Sequence, residues 1–146
     1  MAKSYTTKAY EHEYEKFVDK GAFYYKHHTK SREELSYLGL GIAGEAGECS
    51  DAIKKIIRED NFRLGYDNHI LKAIYEAGDN LWYIVRMCQV AGITVEDLRI
   101  MNTVKLFDRL RANGKEEFAH WPYQTMTYAE AKEHVKAMED LIEGVF

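Results

Sequence analysis

Residues 31–57, SREELSYLGLGIAGEAGECSDAIKKII, decide the fold class of this chain. Ser31 followed three residues later by Glu34 is the pattern of a capping box, which marks the start of a helix. From there apolar residues recur at steps of three and four for about six turns, as on one buried helix face. The stretch therefore predicts a long core helix. Its predicted apolar stripe consists of Leu35, Leu38, Ile42, Ala46, Cys49, Ile53 and Ile56.

Four further helices follow from similar start and stop signals. They are predicted from about Lys8 to Lys20, from about His69 to Ala91, after the cap Thr94 to about Arg111, and after the cap Thr127 to about Glu143. The apolar stripe of the helix that begins near His69 is Ile70, Ile74, Ala77, Leu81, Ile84, Val85 and Cys88. No segment alternates apolar and polar residues as a strand does. The sequence predicts an all-α helical bundle of about four core helices plus a short C-terminal helix, in a single domain that spans residues 1–146.

Charge and composition exclude several classes of protein. The 146 residues include 20 basic and 24 acidic side chains, which leaves a net charge of −4 and no basic surface for nonspecific binding to duplex nucleic acid. No apolar run approaches the ~20 residues of a membrane span, and the first ten residues lack the apolar segment of a signal peptide. Cys49 and Cys88 form neither a disulfide framework nor a metal-binding pair. We therefore expect a cytoplasmic protein with no nucleic acid and no membrane as partner.

Glu45 and Glu48 form an acidic pair on the long helix. At 100° per residue they lie about 60° and 120° from the centre of the apolar stripe, so both project from one flank and could share a ligand. Glycines surround the pair, although each is less favourable in a helix than alanine by roughly 0.8–1 kcal/mol. Either a neighbouring helix approaches closely, or space is kept beside the carboxylates for a ligand. These glycines are Gly39, Gly41, Gly44 and Gly47.

Glu76 and Asp79 repeat this spacing on the next helix, on the side that also carries Tyr75, Trp82 and Tyr83. Four carboxylates between two helices would repel one another strongly and would need divalent cations for balance. Ligands that are oxygen atoms alone favour Mg²⁺ or Mn²⁺, whereas iron-carboxylate bundles use Glu-x-x-His. Either acidic pair by itself is commonly a solvated helix face, and that reading stays open.

A polar strip on the fourth helix supplies the opposite charge. Asn102, Lys105 and Arg109 follow at steps of three and four and could bind phosphate oxygens. Basic residues near a helix C-terminus are also expected from the helix dipole, so the strip has a second explanation. Trp82 and Tyr83 could cover a nucleobase or could belong to the core.

Two segments carry a family resemblance. Residues 38–48, LGLGIAGEAGE, and residues 76–83, EAGDNLWY, resemble the two acidic helices of the MazG-type all-α nucleoside triphosphate pyrophosphohydrolases. Residues 91–98, followed by the polar strip, resemble the next helix of that family. The resemblance covers about residues 35–112 and leaves residues 113–146 as a C-terminal extension. Many members have a second Glu directly before the first motif, where this chain has Gly44.

The resemblance implies Mg²⁺-dependent cleavage of an NTP or dNTP to the monophosphate and pyrophosphate by a metal-activated water. Members are often dimers or tetramers, so it also implies a homo-oligomer. Two alternatives remain open: a hydrolase of another phosphate compound, such as a diphosphate nucleotide, an alarmone or a modified nucleotide, and a non-enzymatic helical-bundle interaction protein. The implied metal ligands and catalytic residues are Glu45, Glu48, Glu76 and Asp79, and the expected substrate-binding residues are Asn102, Lys105, Arg109, Trp82 and Tyr83.

Overall fold

The computed structural model describes residues 8–23, 31–60, 68–115, 117 and 119–146. Within these ranges the chain forms five helices and no strand, so the predicted all-α class is confirmed. None of the described helices combines the length and the apolar composition of a membrane span. The helices are α1 (Lys8–Gly21), α2 (Arg32–Asp60), α3 (Asn68–Ala91), α4 (Val95–Ala112) and α5 (Tyr128–Val145).

Except at the end of α2, which continues three residues past the predicted stretch 31–57 to Asp60, the helix ends agree with the predicted ends to within two residues because their signals are local. Thr94 and Thr127 each form a full capping box, in which the threonine hydroxyl accepts from a backbone N–H and an acidic side chain accepts in return. At Ser31 the hydroxyl accepts from the Glu34 N–H at 3.2 Å. Gly92 ends α3 with a φ of +77°, a left-handed conformation that glycine adopts without strain.

The chain divides into two compact units, Met1–Val90 and Ala91–Phe146. The first contains α1, α2 and α3, and the second contains α4 and α5. This boundary lies at the end of α3, well before the predicted start of the C-terminal extension at residue 113. The prediction of a single domain over residues 1–146 stays a prediction, as does the arrangement of all five helices in one bundle.

In the first unit, α2 and α3 run antiparallel. Near one end Arg86 of α3 contacts Glu34 of α2, and near the other the Cys49 thiol of α2 donates to the Ala73 carbonyl oxygen of α3 at 3.5 Å. Later residues of α2 therefore contact earlier residues of α3. The shared buried face includes Leu38 and Ala52 of α2.

The predicted apolar stripes of α2 and α3 are partly wrong. On α2, Ala46 and Ile53 are exposed, and the buried face is rotated toward Glu45 and Ala52. On α3, Ile74 is 62% exposed, and Ala77 and Leu81 are exposed too, whereas Ala73 is buried. The physical reason is that the facing sides of the two helices carry polar groups that pair across them. An apolar stripe therefore remains on the outside of this unit.

The second unit is a pair of antiparallel helices with a small core. Ile100 and Val104 of α4 pack with Ala131 of α5. Residues of the connection between α4 and α5, and of α5 itself, cover them. The Trp121 indole N–H donates to the Met126 carbonyl oxygen at 2.7 Å, which fixes this connection in place. The covering residues are Trp121, Tyr123, Met126, Tyr128 and Val135.

Candidate metal centre

Three carboxylates of α2 and α3 meet in the first unit. Glu45 projects from α2, and Glu76 and Asp79 project from α3 one turn apart. Each offers one oxygen atom such that all three atoms lie within 4.8 Å of one another. Glu45 and Glu76 are half-buried and Asp79 is exposed, so the cluster is open to solvent beside Asp79. Three of the four acids that the sequence singles out are thus brought together.

The pKa of the Glu45 carboxyl is raised by burial and by the negative charges that surround it. Burial raises the pKa of the Glu45 carboxyl, and the charges of Asp79, Glu48 and Glu76 raise this pKa further. The contact of Glu45 with the Glu76 side chain raises the Glu45 pKa as well. Two like unit charges about 4 Å apart repel by roughly 4 kcal/mol at an effective dielectric constant of 20. A divalent cation would offset this repulsion.

Glu48 lies one turn beyond Glu45 but outside the group of three. Its side chain is exposed, and it contributes to the cluster through its charge on Glu45. A step of three residues turns the helix by about 300°, so Glu48 points away from α3 relative to Glu45. That Glu48 is a metal ligand stays a prediction.

Gly41 makes room for the Tyr83 ring beside the carboxylates. A Cβ atom on Gly41 would lie 2.6 and 2.7 Å from ring atoms Cζ and Cδ1 and closer still to Cε1, so the ring lies directly on the backbone of α2. Burial raises the pKa of the Tyr83 hydroxyl, and so do its hydrogen-bonded neighbour Tyr37 and the charges of Glu45 and Asp79. Tyr83 follows Asp79 by one turn of α3, and Gly41 precedes Glu45 by one turn of α2, so this contact lies one helical turn from the acidic cluster. That Tyr83 binds substrate stays a prediction.

Trp82 has a packing contact of its own. Its ring meets the Tyr83 ring edge-on with centroids 5.3 Å apart, and its indole Nε1 is 3.7 Å from the position that a Cβ atom would take on Gly21. Trp82 is half-buried at the end of α1. This contact accounts for the tryptophan without a ligand, and its role with a nucleobase stays a prediction.

Two further side chains at the cluster were missed by the sequence reasoning. Lys72 lies one turn before Glu76, with its Nζ 3.8 Å from the Glu76 Oε1. Tyr14 of α1 has a raised pKa, first because of burial and then because of the Asp79 charge. The spacing of four residues between Lys72 and Glu76 is a readable signal for their pairing. Nothing in the sequence near Tyr14 indicates that its pKa is raised by the charge of a residue on α3.

The predicted phosphate-binding strip lies in the second unit. Asn102, Lys105 and Arg109 are all exposed on α4. The first two line a groove of about 890 Å³ between α4 and α5, which is also lined by apolar residues such as Met101 and Val135. Their predicted role beside the carboxylates stays a prediction, since the cluster belongs to the other unit.

The donor set fits a hard divalent cation. Three carboxylate oxygens within 4.8 Å, two of them on half-buried residues, are the kind of oxygen ligands that Mg²⁺ and Mn²⁺ prefer. The described cluster contains no histidine and no cysteine, the ligands that would favour zinc. A Mg²⁺ ion usually keeps several waters and is held by few carboxylates, which agrees with the solvent-open side at Asp79.

Comparison with known proteins finds a phage relative. The chain is similar to the Gene 37 protein of Mycobacterium phage L5, with 34% identity over 80 residues. The matched region is 54% of this chain and 68% of that protein. No protein-family model matches the chain, and no solved structure matches it.

Proposed function

The chain belongs to the family of the Gene 37 protein of Mycobacterium phage L5, and from its acidic cluster we propose that it is a Mg²⁺-dependent nucleoside triphosphate pyrophosphohydrolase. The substrate would be an NTP or dNTP, and the products would be the monophosphate and pyrophosphate. The observation that carries the proposal is the meeting of Glu45, Glu76 and Asp79 within 4.8 Å. The resemblance of the two acidic segments to the MazG-type enzymes supplies the reaction type.

Each carboxylate would have a definite task in this reaction. A bound Mg²⁺ would supply positive charge beside the triphosphate and lower the pKa of a water. Glu45, whose pKa is raised by burial and by the neighbouring carboxylates, would hold the cation from α2. Glu76 and Asp79 complete the ligand set from α3, and one cluster carboxylate would accept the proton of the attacking water. Tyr83 lies one helical turn from the cluster, where it would contact the nucleoside part of the substrate.

The leaving group needs cations from the protein. We propose Lys105 and Arg109, with Asn102 beside them on α4, as phosphate-binding residues. Lys72 lies beside the cluster in the first unit, with its Nζ 3.8 Å from the Glu76 Oε1. We assign it to a phosphate oxygen once the cation has engaged Glu76. We propose the cytoplasm as the place of this reaction.

We further propose that the protein is a homo-oligomer, because α3 has an outward apolar stripe. Leu71, Ile74, Tyr75 and Leu81 are between 46% and 67% exposed. Contiguous apolar surface of this kind marks interfaces between proteins. The same stripe favours the second candidate function, a helical-bundle protein that binds a different protein. Sedimentation velocity on the purified chain separates the two, because only self-association raises the mass of the protein alone.

The decisive experiment measures products. Purified protein with Mg²⁺ and a panel of nucleoside triphosphates should release pyrophosphate and a monophosphate. Glu45→Gln and Asp79→Asn should abolish the release, whereas Glu33→Gln, the same change of charge more than three turns away on α2, should retain it. Inorganic phosphate as first product, or full activity in both cluster variants, would contradict the proposal. Cleavage of a diphosphate nucleotide, an alarmone or a modified nucleotide instead would identify the alternative substrate class.

A further inference from the structure

Arg86 forms a buried polar network that links the three helices of the first unit. Its Nε donates to the Glu34 Oε1 of α2 at 2.7 Å, and one terminal nitrogen donates to the Asp19 Oδ1 of α1 at 2.7 Å. Arg86 is 2% exposed and Glu34 is fully buried. Gln89, one turn beyond, accepts from the same terminal nitrogen at 3.2 Å and donates to the Glu15 carbonyl oxygen at 2.8 Å. The network lies outside the acidic cluster, and the proposed reaction does not use it.

Stability alone is a poor reason for such a network. Burial removes two charges from water, and replacing a buried ion pair by apolar residues of similar volume is often neutral or stabilising. The best-attested use of buried polar groups is to specify how helices pair. Glu34 can pair with Arg86 in one alignment of α2 and α3 only, whereas apolar contacts tolerate several alignments.

The network and the cluster lie on the same faces of the two helices. From Glu34 to Glu45 is 45 − 34 = 11 residues, or about 1100°, which is about 20° more than three full turns. From Asp79 to Arg86 is 86 − 79 = 7 residues, or about 700°, which is about 20° less than two full turns. A rotation or slide of α2 against α3 that separates Glu34 from Arg86 therefore also separates Glu45 from Asp79.

The cluster needs such a device because its members repel one another. Three carboxylates within 4.8 Å favour an arrangement in which α2 and α3 turn or slide apart. Along the α2–α3 contact, the ion pair and the cluster are separated by an apolar section that contains Leu38 and the Gly41–Tyr83 contact. Leu38 and the ring resist separation of the helices but do not by themselves fix the register.

We propose that Glu34 and Arg86 are positioning residues that lock the register of α2 against α3 and so hold Glu45 opposite Glu76 and Asp79. The lock acts in the free protein, before any ligand binds. What the cluster then binds rests on the proposed function, but the lock itself does not. It makes the carboxylate site preorganised, as a metal site supported by groups outside its ligands is.

The register can be read from a crosslink. In a Cys88→Ala background, Ala73→Cys adds a thiol on the buried face of α3, at the residue whose carbonyl oxygen lies 3.5 Å from the Cys49 Sγ. Ala77→Cys, in a separate protein, places the thiol one turn further along α3. With Glu34 and Arg86 intact, oxidised glutathione should form the disulfide at position 73 much faster than at position 77.

The test variant is Glu34→Leu/Arg86→Met, which removes both charges together and retains most of the volume. It should unfold at no lower temperature than the intact pair. The ratio of the two crosslinking rates should nevertheless fall severalfold, because α2 and α3 now sample other alignments. In the natural cysteine background, titration with Mn²⁺ alone should show a dissociation constant at least tenfold higher than that of the wild type. An unchanged ratio overturns the lock, and an unchanged Mn²⁺ affinity overturns its positioning of the cluster.

Two single variants keep the test decisive. Should the double variant fail to fold, Arg86→Lys retains a cation but loses the guanidinium fork, and it should lower the ratio in the same direction. Asp19→Asn removes the outer arm, whose side chain is 58% exposed, and should leave the ratio unchanged. A fall in Asp19→Asn as large as that in Arg86→Lys would overturn the assignment to Glu34 and Arg86. If the wild type binds no Mn²⁺, the proposed function fails while the crosslink still decides the lock.

Discussion

Replacing Gly41 by alanine is expected to destabilise the first unit, whereas the same change at Gly44 is expected to stabilise it. Both glycines lie in α2, and both give up the same intrinsic disadvantage of about 0.8–1 kcal/mol when they become alanine. They differ in what the new methyl group meets. At Gly41 it would overlap the Tyr83 ring, with two ring atoms at 2.6 and 2.7 Å, whereas at Gly44 nothing lies within 4 Å.

The difference between the two variants isolates the clash, because the gain in helix propensity cancels. Forcing an extra methyl group into a filled site typically costs 1–3 kcal/mol. Gly41→Ala should therefore be less stable than Gly44→Ala by about 1–3 kcal/mol. For a chain of this length that corresponds to about 2–4 °C in melting temperature for each kcal/mol. The free energy of unfolding of Gly44→Ala should itself be about 1 kcal/mol higher than that of the wild type.

Urea unfolding followed by circular dichroism measures both free energies, and each variant is the other's matched control. Equal stability of Gly41→Ala and Gly44→Ala would refute the contact between Tyr83 and the α2 backbone. The clash displaces an aromatic ring and no carboxylate. Gly41→Ala should therefore retain the Mn²⁺ affinity of the wild type while its KM for the nucleotide rises.

Other parts of the chain give three further predictions. Lys72→Gln should tighten Mn²⁺ binding in calorimetry because it removes a positive charge 3.8 Å from Glu76, and it should raise the KM for the nucleotide; a surface pair without function would change neither. In the second unit, burial raises the pKa of Asp97, but hydrogen bonds from the Thr94 hydroxyl and N–H and from His134 outweigh burial and lower it. Asp97→Asn should therefore cost about 0.5–2 kcal/mol at neutral pH. This difference in unfolding free energy should have its full size above ~3.9, the pKa of an aspartate in the unfolded chain, and should vanish as the pH falls through the lower pKa of Asp97 in the folded chain. A constant difference down to pH 2 would contradict an ionised Asp97 at this helix start. Ile74→Glu should lower the mass seen by sedimentation velocity to that of one chain, whereas an unchanged oligomer would exclude this stripe as the interface.

The helix ends were predictable because each end depends on a few neighbouring residues. Thr94 with Asp97 and Thr127 with Glu130 satisfy the free N–H groups of α4 and α5 within one turn. Gly92 supplies the positive φ that ends α3. None of these interactions needs information from elsewhere in the chain, so the sequence pattern is sufficient.

The buried faces were harder to predict because hydrophobic periodicity does not say which apolar surface faces the chain's own helices. Ile74 and Leu81 fit the period of a core stripe, yet they lie on the outside of the first unit. Glu45 lies on the half-buried side because its partners Glu76 and Asp79 are on the facing helix. The spacing of the acids predicted that Glu45, Glu76 and Asp79 could meet, whereas Glu48 lies outside this group of three and its role as a ligand stays a prediction.

Glu34 makes one interaction that its sequence neighbours predict and one that they do not. Its spacing from Ser31 predicts a cap, and its backbone N–H does donate to the Ser31 hydroxyl, but its carboxylate also pairs with Arg86, 52 residues away. This long-range pair has a consequence for the charge of the site. The single positive charge of Arg86 is already paired with two acids, Glu34 and Asp19. It therefore does not neutralise the carboxylate cluster on the same helix faces. Lys72 offers one half-exposed charge against three carboxylates, so the ion pairs described in the first unit leave the cluster with an excess of negative charge.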